Sequence, residues 1–365
     1  MKLCEAYPSL LLRLGREVPA IGALPAQYLL KGIDIMRPQY RAFIFCVVAL
    51  APFVTGDCAF AFEPGASFTI LPGTTMGIPF AYTGTPGLYL YSLGNYGTDS
   101  VPRAASPNLG FGPGAFRADV ADEVPALLWT TPWMLFGATY AVLFSQPVAS
   151  IHSYGELPGA GWVTRQDGGL RDTIIAPVNL SWDLKNGWHV GAGLNLALPD
   201  GQIEGINGLS SDGAPYWTFE PTFGVSYLRD GWDLSATFLY DIYSANSYSG
   251  VSNGQALYAD LTATKKFGHV EIGPVAYAAF QTTRDSGGNP AAFIATQGLA
   301  NSCAPVAPGV NNGCSQAAMA GVGGKIGYVL EHGEISLLAT QSVLSRGQGG
   351  ADGWRIWTQF TWKLF

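Results

Sequence analysis

Acidic side chains recur at the polar positions of segments in which apolar and polar residues alternate. Glu220, Asp233, Asp241 and Asp260 each lie between two apolar or aromatic neighbours. Successive residues of a β-strand point to opposite faces, so these carboxylates are expected on one face and the apolar side chains on the other. If the sheet closes around a pore, carboxylates on its inner face can select which molecules pass. Because their segments follow one another, Glu220, Asp241 and Asp260 are expected on one wall.

Further charges and rings share this polar face, and two interpretations of them stay open. The charges either form a selective constriction or simply fill the interior with ion pairs. The rings either line a path for an aromatic molecule or fill a core. The charges are Lys266, Glu271, Arg355 and Lys363, and the apolar members are Tyr258, Val275, Tyr277 and Trp357.

Catalytic and metal-binding motifs are scarce. One enzyme that an alternating sheet of this kind could form is a membrane-barrel lipid hydrolase, which needs a Ser/His pair. Only His152, with Ser150 and Ser153 near in sequence, offers such a pair. No G-x-S-x-G motif accompanies it. No H-x-x-H, C-x-x-C or EF-hand spacing is present, so neither a metal nor a cofactor is predicted. The hydrolase stays a minor alternative.

Composition favours a two-faced sheet. Only 12% of the 365 residues are charged, while 13% are aromatic and 47 are glycine. Twelve strand-like segments follow residue 86, several of them with strict alternation. They cover 87–97, 116–130, 133–152, 169–183, 187–199, 215–228, 231–245, 255–267, 269–284, 318–331, 334–345 and 353–365.

The connections between these segments favour a membrane barrel over a soluble sandwich. Short connections, the first at Thr130-Thr131-Pro132, alternate with mostly longer ones. Short periplasmic turns and longer external loops are typical of outer-membrane barrels. The sequence therefore predicts a twelve-stranded antiparallel transmembrane barrel over residues 87–365, with a narrow or partly plugged lumen. The Gly/Pro/Thr-rich segment 62–86 is expected in the periplasm or inside the lumen as a plug.

The positions of the aromatic residues indicate that a lipid bilayer surrounds the barrel. Tryptophans near the segment ends are expected to form girdles at the membrane interfaces, while the bulk of the outer face contacts lipid. The last strand, Trp354–Phe365, resembles the terminal strand of outer-membrane barrels, which implies the barrel-assembly machinery as a partner. Phe365 falls on the polar parity, which predicts a bulge or register break. The girdle residues are Trp133, Trp182, Trp188, Trp217, Trp232, Trp354 and Trp362.

The N-terminus carries an export signal. Arg37 and Arg41 precede the apolar run 42–54, and Ala59-Phe60-Ala61 provides an A-x-A cleavage site, so residues 1–61 are read as an over-extended start plus a signal peptide. Cleavage after Ala61 removes six of 19 basic and four of 26 acidic residues, which leaves a net charge of −9. Nucleic acid is therefore not an expected partner. Cys303 and Cys314 remain in one loop and are expected to form a disulfide.

From about residue 86 onward the chain resembles the family of MetA-pathway phenol degradation proteins. The resemblance implies an outer-membrane barrel that passes small hydrophobic, often aromatic, compounds, and it supplies no catalytic or binding residues. A structural or adhesive barrel that acts through its loops is the alternative. The resemblance rests on the order and spacing of Pro86-Gly87-Leu88-Tyr89-Leu90, Gly169-Leu170-Arg171-Asp172-Thr173, Ala176-Pro177, Trp182, Leu198-Pro199-Asp200-Gly201, Trp217-Thr218-Phe219-Glu220-Pro221, Tyr258-Ala259-Asp260, Tyr277 and Gln281.

Overall fold

The described part of the chain is all-β. The structure, a computed structural model, describes residue 62 and residues 66–100, 116–157, 161–204, 212–287, 316–346 and 352–365. The predicted cleavage after Ala61 and the predicted Cys303–Cys314 bond lie outside these residues and stay predictions. Within the described residues, no helix is long and apolar enough to cross a bilayer. The strands are β1 Gly87–Ser100, β2 Phe116–Leu135, β3 Ala138–Ser145, β4 Val148–Leu157, β5 Gly161–Leu170, β6 Ile174–Lys185, β7 Trp188–Ala197, β8 Thr218–Arg229, β9 Trp232–Tyr243, β10 Val251–Ser252, β11 Ala256–Phe267, β12 Val270–Gln281, β13 Ser286–Gly287, β14 Ala318–Val329, β15 Gly333–Arg346 and β16 Trp354–Lys363.

These strands form a closed antiparallel barrel. Strand β2 pairs with both β3 and β4, so these two are halves of one barrel strand, and β5 and β6 are halves of the next. Strands β10 and β13 form a separate ribbon. Strand β1 pairs with β2 on one side and with β16 on the other, which closes the sheet. The predicted twelve-stranded barrel is therefore confirmed in the described residues.

Closure at the C-terminal strand is regular. Strand β16 pairs with β1 from Tyr89↔Lys363 to Gly97↔Arg355 without a register shift, and its pairing with β15 is equally continuous. Past Lys363 the ladder leaves this register, because the Leu364 N–H donates to the Leu88 carbonyl at 2.8 Å while the Leu88 N–H donates to the Phe365 carbonyl at 3.2 Å. The irregularity predicted from the parity of Phe365 therefore lies at the last two residues. Strand β16 ends at Lys363, and Phe365 lies past it with 76% of its surface exposed. The parity of the strand does not apply to a residue beyond its end.

Three local predictions also need correction. The proposed turn at Thr130-Thr131-Pro132 is wrong, because β2 absorbs these residues as an irregularity and continues to Leu135. The turn lies at Phe136-Gly137, where both residues have positive φ, 52° and 76°. That conformation suits the right-handed twist of a hairpin. The segments 133–152 and 169–183 are each interrupted, the first at Gln146-Pro147. Pro147 has no N–H to donate to the ladder.

The two faces of the sheet differ as a bilayer requires. In β8 and β9 the apolar parity is outward and the polar parity is buried inside. We call the end of the barrel with the connections at 136–137, 186–187, 230–231, 268–269 and 330–332 the turn end, and the opposite one the loop end. The outward Trp133 and Trp188 lie near the turn end and Trp217 and Trp354 at the loop end, each 40 to 59% exposed. This arrangement forms girdles at both ends.

Residues 66–86, named here the lumen segment, contact inward side chains of strands around the barrel. Thr69 bonds Thr218 of β8, and the carbonyl of Ala81 accepts a hydrogen bond from Ser181 of β6. On other strands, Thr130 donates to the carbonyl of Thr83, and Gln359 donates to that of Met76. Because β2, β6, β8 and β16 lie on different sides of the barrel, the segment lies inside it.

Candidate functional site in the barrel lumen

All eight residues predicted to line the lumen point inward and are buried, and no residue is more than 9% exposed. The structure does not bring them into one cluster. Lys266, on the same parity, is exposed where β11 reaches the turn end. The eight divide among four neighbourhoods: Asp260 with Tyr277; Glu220 with Asp241 and Tyr258; Asp233 with Glu271; and Arg355.

Asp260 holds the lumen segment. Its Oδ1 accepts a hydrogen bond from the Gly73 N–H at 3.1 Å, and its Oδ2 accepts from the Thr75 N–H at 3.0 Å and the Thr75 hydroxyl at 2.7 Å. Gly73 has a φ of +100°, and a Cβ there would lie 2.7 Å from Met76 Cε and 3.2 Å from a Tyr277 ring carbon. Glycine is therefore required at this turn, where the backbone approaches the wall closely.

A buried lysine makes the second anchor. Lys325 of β14 is ion-paired with Glu271 at 2.9 Å and with Glu334 at 2.6 Å, and it donates to the Gly77 carbonyl at 2.7 Å. Its side chain is 3% exposed. The ammonium thus has three acceptors for its three protons. Sequence reasoning missed Lys325 and Glu334, although both fall on the inward parity of their strands. Asp233 lies on the same side of the lumen and accepts a hydrogen bond from Ser235.

Glu220 and Asp241 form a buried acidic pair on β8 and β9. Glu220 Oε2 and Asp241 Oδ1 are buried and have no hydrogen-bond donor within the described residues. Asn195 donates to Glu220 Oε1 at 2.6 Å, and Tyr243 and Tyr258 donate to Asp241 Oδ2 at 2.7 and 2.5 Å. The pair is therefore fixed on both sides, whereas Asp260 is engaged separately by the lumen segment.

Arg355 belongs to a network at the loop end. It donates to both oxygens of Asp99 at 2.5 and 2.6 Å and to Asn95 at 3.3 Å. Asn95 in turn donates to Asp122, which is ion-paired with Arg171 at 2.6 Å. A charge-paired chain of side chains thus runs from β16 across β1 and β2 to the interruption between β5 and β6.

The inward rings form an apolar patch that the N-terminal residues cover. Tyr258, Tyr277 and Trp357 are at most 4% exposed and belong to one cluster with Phe68 and Met76. The Phe68 and Tyr258 rings meet edge to face at 5.4 Å. The same cluster includes Phe62, Leu93, Leu239, Tyr216, Tyr243, Val275 and Leu338. The interior near these residues is thus apolar, in contrast to the ion pairs around it.

The alternative sites have little geometric support. His152 Nδ1 is hydrogen-bonded to the Tyr154 hydroxyl at 2.9 Å, and the two rings are 4.3 Å apart, so this nitrogen is engaged by a tyrosine. Within the described residues, no group of three or more His, Cys, Asp or Glu side chains is placed to hold a metal ion.

Two acids, Asp172 and Asp212, lie at the loop end, which we call the rim. They predict that the stability of this rim depends on pH. Burial raises the pKa of Asp172, which accepts hydrogen bonds from the Gly201 and Ala214 N–H groups, to about 7, and that of Asp212 to about 6. The ordinary value for both is 3.8. The folded rim therefore binds protons that the opened rim releases, so its stability is highest below about pH 4 and falls as the pH rises towards 7.

Hydrogen exchange of the Gly201, Gly213 and Ala214 amides between pH 5 and 8 measures this effect. After correction for intrinsic exchange, we expect the opening free energy to decrease as the pH rises. Asp212→Asn should remove the part of the decrease centred near pH 6, while Asp230→Asn, at the exposed turn end, should leave it intact. A rim that is equally protected at pH 5 and pH 8 would contradict the prediction.

Comparisons with known proteins agree with this architecture. The family described as putative MetA-pathway of phenol degradation matches residues 92–300, more than half of the chain. No curated protein matches. The crystal structure of an outer membrane channel from Pseudomonas putida F1 has a TM-score of 0.57 at 13% identity, over 80% of this chain and 99% of that one.

Two further solved structures are less similar. The beta domain of the Bordetella autotransporter BrkA has a TM-score of 0.40 at 12% identity, over 77% of this chain and 100% of that one. The monoaromatic hydrocarbon channel CymD has a TM-score of 0.38 at 10% identity, over 84% of this chain and 98% of that one. Of the three structures, only the Pseudomonas channel supports a shared fold.

Proposed function

This chain belongs to the family of putative MetA-pathway phenol degradation proteins, and from that premise we propose that it is a channel for the passive passage of small hydrophobic or aromatic molecules. It is a β-barrel of the bacterial outer membrane, with an apolar face towards lipid. Passage needs neither a cofactor nor an energy source, because the permeant moves down its own gradient.

The apolar patch inside the lumen is the observation that carries this proposal. A pore for ions or other charged solutes has little use for tyrosine and tryptophan rings packed together on its inner wall. Tyr258, Tyr277 and Trp357 instead offer flat apolar surface to a neutral ring, as ligand sites for such molecules do. In this structure Phe68 and Met76 of the lumen segment occupy that surface. A permeant would therefore replace them as the segment moves aside.

The charged residues predicted from the sequence have a supporting role in this proposal. Glu220, Asp241 and Arg355 are held by hydrogen bonds or ion pairs, which fixes the polar wall beside the aromatic path. Asp260 and, through Lys325, Glu271 hold the lumen segment. Asp233 lies on the same wall and accepts a hydrogen bond from Ser235.

Two other proposals concern partners and chemistry. The exposed C-terminal Phe365, at the end of β16, supports recognition of this strand by the barrel-assembly machinery. We propose no catalysis, because His152 is engaged by Tyr154 and the hydrolase alternative needs a serine in that place.

Uptake by outer-membrane vesicles tests the proposed function. Vesicles that contain the protein should take up toluene and phenol several-fold faster than vesicles from cells that lack it, while glucose uptake should not change. The lipopolysaccharide leaflet slows the direct diffusion of hydrophobic molecules and so makes the difference measurable. Equal uptake by both kinds of vesicle would favour the structural or adhesive alternative.

A further inference from the structure

Among the described residues, the lumen segment leaves a space unfilled at the turn end. A cavity of about 280 Å³ lies between the segment and the wall formed by β15, β16 and β1. A cavity of roughly 150 Å³ is enough for benzene in a protein interior. The space is therefore large enough for one aromatic ring with a substituent, and it lies outside the apolar patch that Phe68 and Met76 cover.

The strand register gives the cavity an asymmetric wall. Tyr91 of β1 is paired with Thr361 of β16, and Thr361 is paired with Glu334 of β15. All three side chains line the cavity. Adjacent strands lie about 4.8 Å apart, so the tyrosine ring and the carboxylate are roughly 10 Å apart, with a small side chain between them. A ring placed over Thr361 would thus meet Tyr91 on one side and Glu334 on the other.

The opposite side of the cavity is apolar and aromatic. Ile78, Pro79 and Tyr82 of the lumen segment line this side, while Tyr89 lies beside Tyr91 on β1. Tyr89 is fixed by its hydrogen bond to the Thr85 carbonyl at 2.7 Å. Flat apolar walls of this kind favour an aromatic ring over a sugar or another strongly hydrated solute.

The carboxylate is fixed and carries uncompensated negative charge. Glu334 Oε1 is held by Lys325 at 2.6 Å and by the Ser336 hydroxyl, while a quarter of the side chain remains exposed. Lys325 supplies one positive charge against Glu334 and Glu271 together. Lys363 lies at the turn end, bonded to Thr85 and 5.6 Å from the Tyr89 ring. An acceptor of this kind suits a neutral O–H donor and repels an anion.

From these features we infer that the cavity is a binding site for an uncharged single-ring aromatic molecule that carries a hydroxyl group, which donates to Glu334. This inference rests on the proposed function, because the occupant would be a permeant held at the turn-end side of the lumen segment. The site selects by a hydrogen bond and by charge, whereas the apolar patch selects by hydrophobicity alone.

Binding to the purified, folded protein in detergent tests the inference, with phenol, toluene and benzoate as probes. We expect phenol to bind at least tenfold more tightly than toluene, because only phenol donates to Glu334, and benzoate not to bind. Thr361→Trp should fill the cavity and abolish phenol binding. Phe360→Trp, the adjacent outward position on the same strand, is the matched control and should bind phenol as the unmodified protein does.

A second variant keeps the test decisive if Thr361→Trp does not fold. Glu334→Gln retains an acceptor and removes the charge, so benzoate should now bind while phenol affinity changes only a few-fold. Equal affinity for all three probes, or phenol binding that persists with the cavity filled, would overturn the inference.

Uptake of phenol by vesicles that contain the same variants tests the proposed function independently of the binding site. If the unmodified protein transports phenol without binding it at the cavity, the site is wrong and the channel stands. If it binds phenol at the cavity and transports nothing, the site stands and the channel is wrong.

Discussion

Replacing Asp260 by asparagine should release the lumen segment and increase the uptake of small aromatic molecules. An asparagine retains one acceptor oxygen, which can still face the Gly73 N–H, but its amide nitrogen cannot accept from Thr75. Hydrogen bonds to charged groups contribute about 1.5–3 kcal/mol each, so losing part of this set should cost about 2–4 kcal/mol. The docking equilibrium would then shift roughly 30- to 700-fold towards the released segment.

Two measurements on Asp260→Asn address separate steps of this argument. Hydrogen exchange at Gly73, Thr75 and Gly77 reports release of the segment, and vesicle uptake of toluene and phenol reports passage. Asp233→Asn is the matched control, because it removes a buried acid from the adjacent strand β9. Asp233 accepts its hydrogen bond from Ser235 of the wall and not from the lumen segment. Faster exchange without faster uptake would show that the segment does not limit passage, and unchanged exchange would show that Asp260 does not hold it.

The barrel itself could be predicted from the sequence because its signal is local and repeated. Alternation along β8 and β9 indicates which side chains face the interior, and Glu220, Asp233 and Asp241 are buried there. The errors arose where a strand departs from strict pairing. At Pro132 a turn was predicted although the chain continues in the sheet, whereas at Pro147 a continuous strand was predicted although the strand is interrupted there.

The interior of the barrel could not be predicted in the same way. The hydrogen bonds of Asp260 to Gly73 and Thr75 join residues 187 and 185 positions apart, and no local pattern encodes such a pair. Lys325 lies in a glycine-rich strand whose alternation is weak, so its inward position was not recognised. An outward acid was missed for a similar reason: Glu123 of β2 accepts a hydrogen bond from Ser92 on the outer face, in segments that alternate poorly.

Replacing Lys325 by methionine should destabilise the barrel more than any other single change considered. Methionine has a similar length and no charge, so the buried Glu271 and the partly buried Glu334 would face each other with no cation between them, and the Gly77 carbonyl would lose its donor. Removing one partner of a buried ion pair costs about 3–5 kcal/mol. Urea-induced unfolding of the reconstituted barrel, followed by tryptophan fluorescence, measures the loss in the free energy of unfolding.

A set of variants can identify the cause of this loss in the free energy of unfolding. If uncompensated carboxylate charge causes it, Lys325→Met combined with Glu271→Gln and Glu334→Gln should recover most of the stability, because no net charge is left buried. Lys363→Met, an inward lysine at the solvent-exposed turn end, should change the free energy of unfolding by less than about 1 kcal/mol. If the triple variant is as unstable as Lys325→Met alone, the cost lies in the lost contact with Gly77 and the packing around it. Lys325 would then stabilise the barrel chiefly through the lumen segment.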